Sequence, residues 1–230
     1  MRVILIQHTP EPERTVALAA RLCYSPTGID ELRNRIDASD ITAFIDKIMS
    51  LGHHSVLEHA SFSFGVEGIS RVTSHQLVRH RVASYSQQSQ RYVSHVEAFD
   101  AVVPPTIAAN PAAAARFTQA IQDAHRAYGD LVAAGIEPED ARYLLPNATE
   151  TKLVITMNAR ELLHFFRLRC CERAQWEIRA MATEMLRLVH VLAPVIFKDA
   201  GPGCVAGPCP EGAFCCGKTT EVRARFRNLV

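Results

Sequence analysis

Ala60-Ser61-Phe62-Ser63-Phe64-Gly65-Val66 alternates apolar and small residues, the period of a strand that buries one face. Within four residues the pattern changes. Ser70 to His80 is expected to be helical. A half-buried strand feeding directly into a helix sets the architectural choice, and the flanks repeat it in irregular order. Arg2 to His8 is an apolar, branched opening strand stopped by Thr9-Pro10. Helices are expected over Arg14–Cys23 and from an Asp40 cap to about Leu51, with Ile41, Phe44, Ile45 and Ile48 on one face. Ser55-Val56-Leu57-Glu58 has the form of a capping box.

Further on, Asn110-Pro111 starts a long helix to about Ala134, with proline at its first position. Pro138 starts a short helix that breaks at Pro146. Thr151 to Met157 reads as a strand, Ala159 to about Cys170 as a helix, and Ala174 to Phe197 as another. The expectation is an α+β fold, with a mixed or antiparallel sheet packed with long helices.

Arg79-His80-Arg81-Val82-Ala83-Ser84-Tyr85-Ser86-Gln87-Gln88-Ser89-Gln90-Arg91-Tyr92 does not look like core. It holds three arginines, one histidine, three serines and three glutamines. Such fixed donors suit an anionic, hydrogen-bonding ligand such as a nucleotide, because a guanidinium meets phosphate two bonds at a time. On a helix, Gln76 would share a face with Arg79 and His80. If the chain is extended beyond Gln87, then Gln87, Ser89 and Arg91 point the same way. A second cluster lies at the expected strand-to-helix junction Thr156-Met157-Asn158-Ala159-Arg160. Backbone N–H groups at a helix start favour anions. Arg160 and His164 are four apart, as are Arg169 and Arg173. Each pair would equally suit a wet helix face.

Arg79-His80-Arg81, seven residues and then Ser89 resembles the signature of the flavin-dependent thymidylate synthases, extended by Ser89-Gln90-Arg91-Tyr92. Some members carry Asn-Glu where this chain has Ser86-Gln87. Gly52-His53 with Glu58-His59, then Asn158-Ala159-Arg160 and Leu168-Arg169, also stand where that family has them. The resemblance covers most of residues 50–185 and not the tail. It implies a homotetramer with active sites between subunits, and reductive methylation of dUMP to dTMP. It further implies FAD as cofactor, with NADPH and 5,10-methylenetetrahydrofolate as co-substrates.

By resemblance, Arg169 polarises the uracil ring without a cysteine nucleophile, and His53 lies near the flavin ring. Ser55, Arg79, His80, Arg81, Gln87, Asn158, Arg160 and His164 contact flavin. Gln76, Arg79, Gln87, Gln88, Ser89, Gln90, Arg91, Arg142 and Arg169 hold the nucleotide.

Other readings compete. Cys170 or Cys171 beside Arg169 could serve as the nucleophile of a flavin-free methylase. Arg71, Arg79, Arg81 and Arg91 with Tyr85 and Tyr92 could track single-stranded nucleic acid. However, 25 basic against 24 acidic residues leaves no broad positive field. His54, Glu58 and His59 miss the zincin spacing by one residue, and no metal is expected there.

The 230 residues divide into an expected domain of 1–200 and a Gly-, Pro- and Cys-rich tail of 201–230. Cys204, Cys209, Cys215 and Cys216 in that tail are enough in number for zinc. They lack the C-x2-C spacing, so loose, reduced thiols are the expectation. Gly201, Gly203 and Gly207 do not form a dinucleotide fingerprint. No apolar run approaches the roughly 18 residues that span a bilayer, and no secretory leader is evident, so a cytoplasmic protein without membrane contact is expected.

Overall fold

The computed structural model describes residues 1–96 and 99–229. In chain order the elements are β1 (Arg2–His8), α1 (Pro12–Leu22), α2 (Ile29–Asp37), α3 (Thr42–Ser50), a 3-10 turn (His54–His59), β2 (Ser61–Ser70), α4 (Arg71–Leu77) and β3 (Ala83–Gln87). There follow α5 (Pro105–Ala108), α6 (Pro111–Ala133), α7 (Pro138–Ala141), a 3-10 turn (Arg142–Leu144), β4 (Glu150–Asn158), α8 (Ala159–Arg169), α9 (Trp176–His190), a 3-10 turn (Gly212–Phe214) and α10 (Thr219–Arg227). The strands make one antiparallel sheet in the order β1-β2-β4-β3. The fold is α+β, as the patterning implied.

Two compact units are present. One comprises Met1–Arg2, Val66–Arg79 and Tyr85–Val154; the other comprises Val3–Gly65, His80–Ser84 and Ile155–Val230. In the second unit, Phe62 and Phe64 of β2 and Ile155 and Met157 of β4 are buried. The opposite face pairs Ser63 Oγ with Thr156 Oγ1 at 2.8 Å. Asn158 caps α8 by accepting from Glu161 N (2.9 Å), which turns Leu162, Phe165 and Phe166 inward. Phe166 and Phe62 both pack edge-on against Phe197, with centroids 6.0 and 5.8 Å away. Each such ring contributes roughly 1.5–3 kcal/mol by leaving water.

Three local expectations fail in this unit. Helix α2 went unread because Leu32 and Ile36 are its only buried residues in a charged run. Ser55–Glu58 forms no capping box; the side chain of Glu58 pairs instead with Arg160. Helix α9 stops at His190 rather than Phe197. Pro194 cannot donate, and the N–H groups of Val195 and Ile196 donate to Glu13 Oε1 of α1 at 2.6 and 3.1 Å. The tail also departs from a loose segment, for α10 buries Val222 and Phe226.

In the first unit, Gly68 sits at φ +72°, and there β2 changes phase: Val66 is buried, Glu67 exposed and Ile69 buried. Only glycine adopts this φ cheaply, and a side chain would meet Met1 at 3.0 Å. Ser70 Oγ caps α4 by accepting from Thr73 N, and the helix ends at Leu77 rather than His80. Asn110 and Pro111 start α6 as expected. This helix of 23 residues buries only Tyr128 completely. No described helix is long and apolar enough to cross a membrane.

Candidate functional site

His80 organises the second unit's cluster. Arg169, in the last turn of α8, donates from Nε to His80 Nε2 at 3.0 Å. That nitrogen is therefore bare, and the ring proton sits on Nδ1, which faces Glu161 Oε1 at 3.2 Å. His80 is 4% exposed and packs edge-on against Phe165, with centroids 4.9 Å apart. Burial, then the charges of Arg169 and His164, push its pKa down to about 4. The imidazole is thus neutral at physiological pH, and the contact with Glu161 is a hydrogen bond rather than an ion pair. Burial raises the Glu161 carboxyl. The result is a chain running Glu161, neutral His80, Arg169, in which carboxylate and imidazole aim a guanidinium. Burial holds the Arg169 pKa below its ordinary value while leaving part of the side chain open to a ligand.

Other expected residues of this unit lie on exposed or half-exposed surface. His164 is exposed, with its ring 5.8 Å from that of His80. Asn158 spends its carbonyl on the helix cap, leaving its amide N–H groups for a ligand. Arg160 pairs with Glu58 at 2.5 Å, Arg81 and Ser55 are exposed, and His53 Nδ1 lies 3.4 Å from the Tyr24 hydroxyl.

The first unit carries the remaining expected residues. Because α4 ends at Leu77, Arg79 does not share a helical face with Gln76; it is exposed, with its N–H on Gln76 O. His80 likewise lies beyond the helix. The extended row Gln87, Ser89, Arg91 is also absent. Strand β3 ends at Gln87, whose Nε2 donates to Thr151 Oγ1 (3.1 Å). Ser89 Oγ then closes a turn by accepting from the N–H groups of Arg91 (3.0 Å) and Tyr92 (3.4 Å). Gln88 and Gln90 are half-buried, and Gln88 lines a cavity of about 320 Å³ with Glu67, His95, Phe99, Glu150 and Lys152.

Glu139 holds two arginines at once. Its carboxylate pairs with Arg91, and its backbone oxygen accepts from Arg142 Nε at 2.9 Å. Arg71, which reading the chain did not single out for this site, is held below its ordinary pKa by burial and then by the charge of Arg142. Two neighbouring guanidiniums that oppose each other's charge favour an anion between them. Glu58, Glu139 and Glu161 were missed as well. Asn158-x-x-Glu161 carried a capping-box signal, but its glutamate turns inward to His80.

Cys170 is fully buried, and burial pushes its thiol up to about 12. It is protonated at neutral pH, which removes it as a nucleophile.

The family model described as thymidylate synthase complementing protein matches residues 4–195. A flavin-dependent thymidylate synthase from Geobacter sulfurreducens is 64% identical over 230 residues, covering 100% of this chain and 99% of its own length. The enzymes of that name from Clostridium tetani and Pyrococcus abyssi are 48% and 43% identical, over 97% and 92% of this chain and 96% and 90% of theirs. The similarity to the Geobacter protein thus extends through the tail.

Proposed function

The chain belongs to the flavin-dependent thymidylate synthases, and on that premise we propose how its residues methylate dUMP to dTMP. The observation that carries this reading is the guanidinium of Arg169, fixed by a neutral imidazole that is itself locked by Glu161. Uracil C5 is a weak nucleophile. A cation aimed at N3 and its adjoining carbonyl stabilises the negative charge that develops as C5 attacks, and it does so without reorganising.

Arg71 and Arg142 supply the charge for the nucleotide phosphate. The half-buried turn around Ser89 adds the Ser89 hydroxyl proton, with Gln76, Gln87, Gln88 and Gln90 positioning the rest of the nucleotide. Arg91 is released to the phosphate when Glu139 gives it up.

FAD, when bound, supplies reducing equivalents drawn from NADPH, and 5,10-methylenetetrahydrofolate supplies the carbon. The chain's donor set fits a flavin dinucleotide. Exposed Arg79, Arg81 and Arg160 suit a pyrophosphate, and Ser55, His53, His164 and the Asn158 amide supply hydrogen bonds. His80 also belongs to this set, but it acts by holding Arg169.

A homotetramer completes the site in this proposal. Helix α6 buries only Tyr128, and His53 and Ser55 are exposed, both of which suit coverage by partner chains. The test is direct. The purified protein should carry or take up FAD, bleach with NADPH and form dTMP when dUMP and the folate are added. It should elute as a tetramer. A protein that stays colourless after incubation with FAD sinks the proposal.

A further inference from the structure

Residues 201–218, ahead of α10, hold no regular element except the 3-10 turn Gly212–Phe214. The segment is nevertheless tightly seated. A side chain on Gly203 would come within 2.7 Å of Pro210. Arg223 of α10 donates from Nε to Cys204 O at 2.7 Å and from Nη2 to Gly207 O. An irregular run of this length inside a compact unit calls for a staple.

Five of the seven cysteines gather there. Cys171, at the end of α8, lines one small cavity together with Cys204, Cys209 and Cys216. Its volume is about 10 Å³, room for a single water-sized occupant. Cys204 is close enough to Cys171 and Cys216 for their charges to act on it. Cys209 Sγ lies against the backbone N–H of Glu211, two residues on, and against the Cys215 side chain. Arg223 brings positive charge beside Cys204, while Arg225 is paired with Glu172, which lines the same cavity.

We propose that Cys171, Cys204, Cys209 and Cys216 form a tetrathiolate site for one zinc-class divalent cation, which closes the tail onto the end of α8. Four sulfurs from two separate chain segments match the ligand number of a structural zinc centre. The cavity is too small for an iron–sulfur cluster, and sulfur donors exclude magnesium and calcium. Among the described residues no three such donors yet surround a common point. Binding therefore draws the loop inward until each sulfur stands about 2.3 Å from the ion, releasing the thiol protons. Exposed Cys216, next to Gly217 at φ +75°, travels furthest. Cys215 does not line the cavity; it lies against the Cys209 and Cys216 side chains, and its Sγ accepts from Gly217 N at 3.5 Å.

Metal analysis of the full-length protein, purified in reducing buffer without chelator, tests this. About one zinc per chain is expected. Alkylation followed by mass spectrometry should find Cys171, Cys204, Cys209 and Cys216 protected with zinc and labelled after its removal, while Cys23 and Cys215 label in both states. Cys216→Ser should weaken zinc retention by more than the ~100-fold that loss of a ligand's hydrogen-bond partner costs, and Cys215→Ser should not. Should Cys216→Ser not fold, cobalt(II) added to the zinc-stripped wild-type chain should give a tetrahedral thiolate spectrum. A wild-type chain that holds no zinc and shows no such spectrum overturns the proposal, as does equal labelling of the four thiols with and without zinc.

Discussion

Arg169 and Arg91 are both expected at the nucleotide, yet they are held in opposite ways. Arg169 is half-buried and donates to a neutral, buried histidine. Arg91 is 53% exposed and already paired with the Glu139 carboxylate, which a phosphate must replace. A guanidinium that stabilises charge in the transition state gains from being immobile; one that only recruits substrate tolerates exchange of partners. Burial sets the difference. The neutral imidazole of His80, itself held by Glu161, fixes where the Arg169 guanidinium points.

The sharpest break of this contrast is Arg169→Ala. Its kcat should fall by about 10²–10³. Arg169→Lys should not restore it, since an ammonium lacks the planar fork. Arg91→Ala should act instead on the KM for dUMP. Steady-state kinetics on the pair decides the matter, and a larger kcat loss for Arg91→Ala would reverse the assignment.

The next effect is on stability. His80 titrates near 4 when folded, against an ordinary 6.5. Between those values the unfolded chain binds the proton that the folded chain refuses, so stability falls as pH drops through this window, by up to ~3 kcal/mol. Glu161, raised by burial, works the other way at the acid end. The comparison with His80→Gln in denaturant melts at several pH values isolates the histidine; parallel curves for the two proteins would contradict a buried neutral ring.

Smaller again is Glu161→Ala, which frees the His80 tautomer. About a tenfold loss in kcat is expected, the scale on which orienting partners act. Nitrogen NMR of His80 should report loss of the Nδ1–H form; an unchanged tautomer would show that Arg169 alone sets it. The smallest effect is that of Glu139→Gln. An exposed pair is worth about 0.2–1 kcal/mol, so stability should hardly move, while the KM for dUMP falls a few-fold as Arg91 is set free. A rise in KM would instead make Glu139 a ligand-binding group.

What could be read ahead of the structure follows the range of the forces involved. Asn110-Pro111 as a helix start and the strand over Thr151 to Met157 are local signals, and each appears where expected. Ser89 stands out in the sequence, but its turn geometry is not legible there, because the same residues could form an extended row. Pro194 marks the end of α9 locally, whereas the capture of the Val195 N–H by Glu13, 182 residues away along the chain, leaves no local trace. The tail was misread as loose because its fixing contacts, Arg223 on Cys204 and Gly203 against Pro210, leave no periodic trace.

The chain's own order of residues determined the strands, the caps and a signature dense in cations, since these depend on neighbours within a turn or two. It could not determine which histidine would be neutral or which arginine would be aimed. Glu161 and Arg169 reach His80 across 81 and 89 residues. Only the packed fold brings such groups together, removes the water that would otherwise let the imidazole ionise, and so decides where the field points.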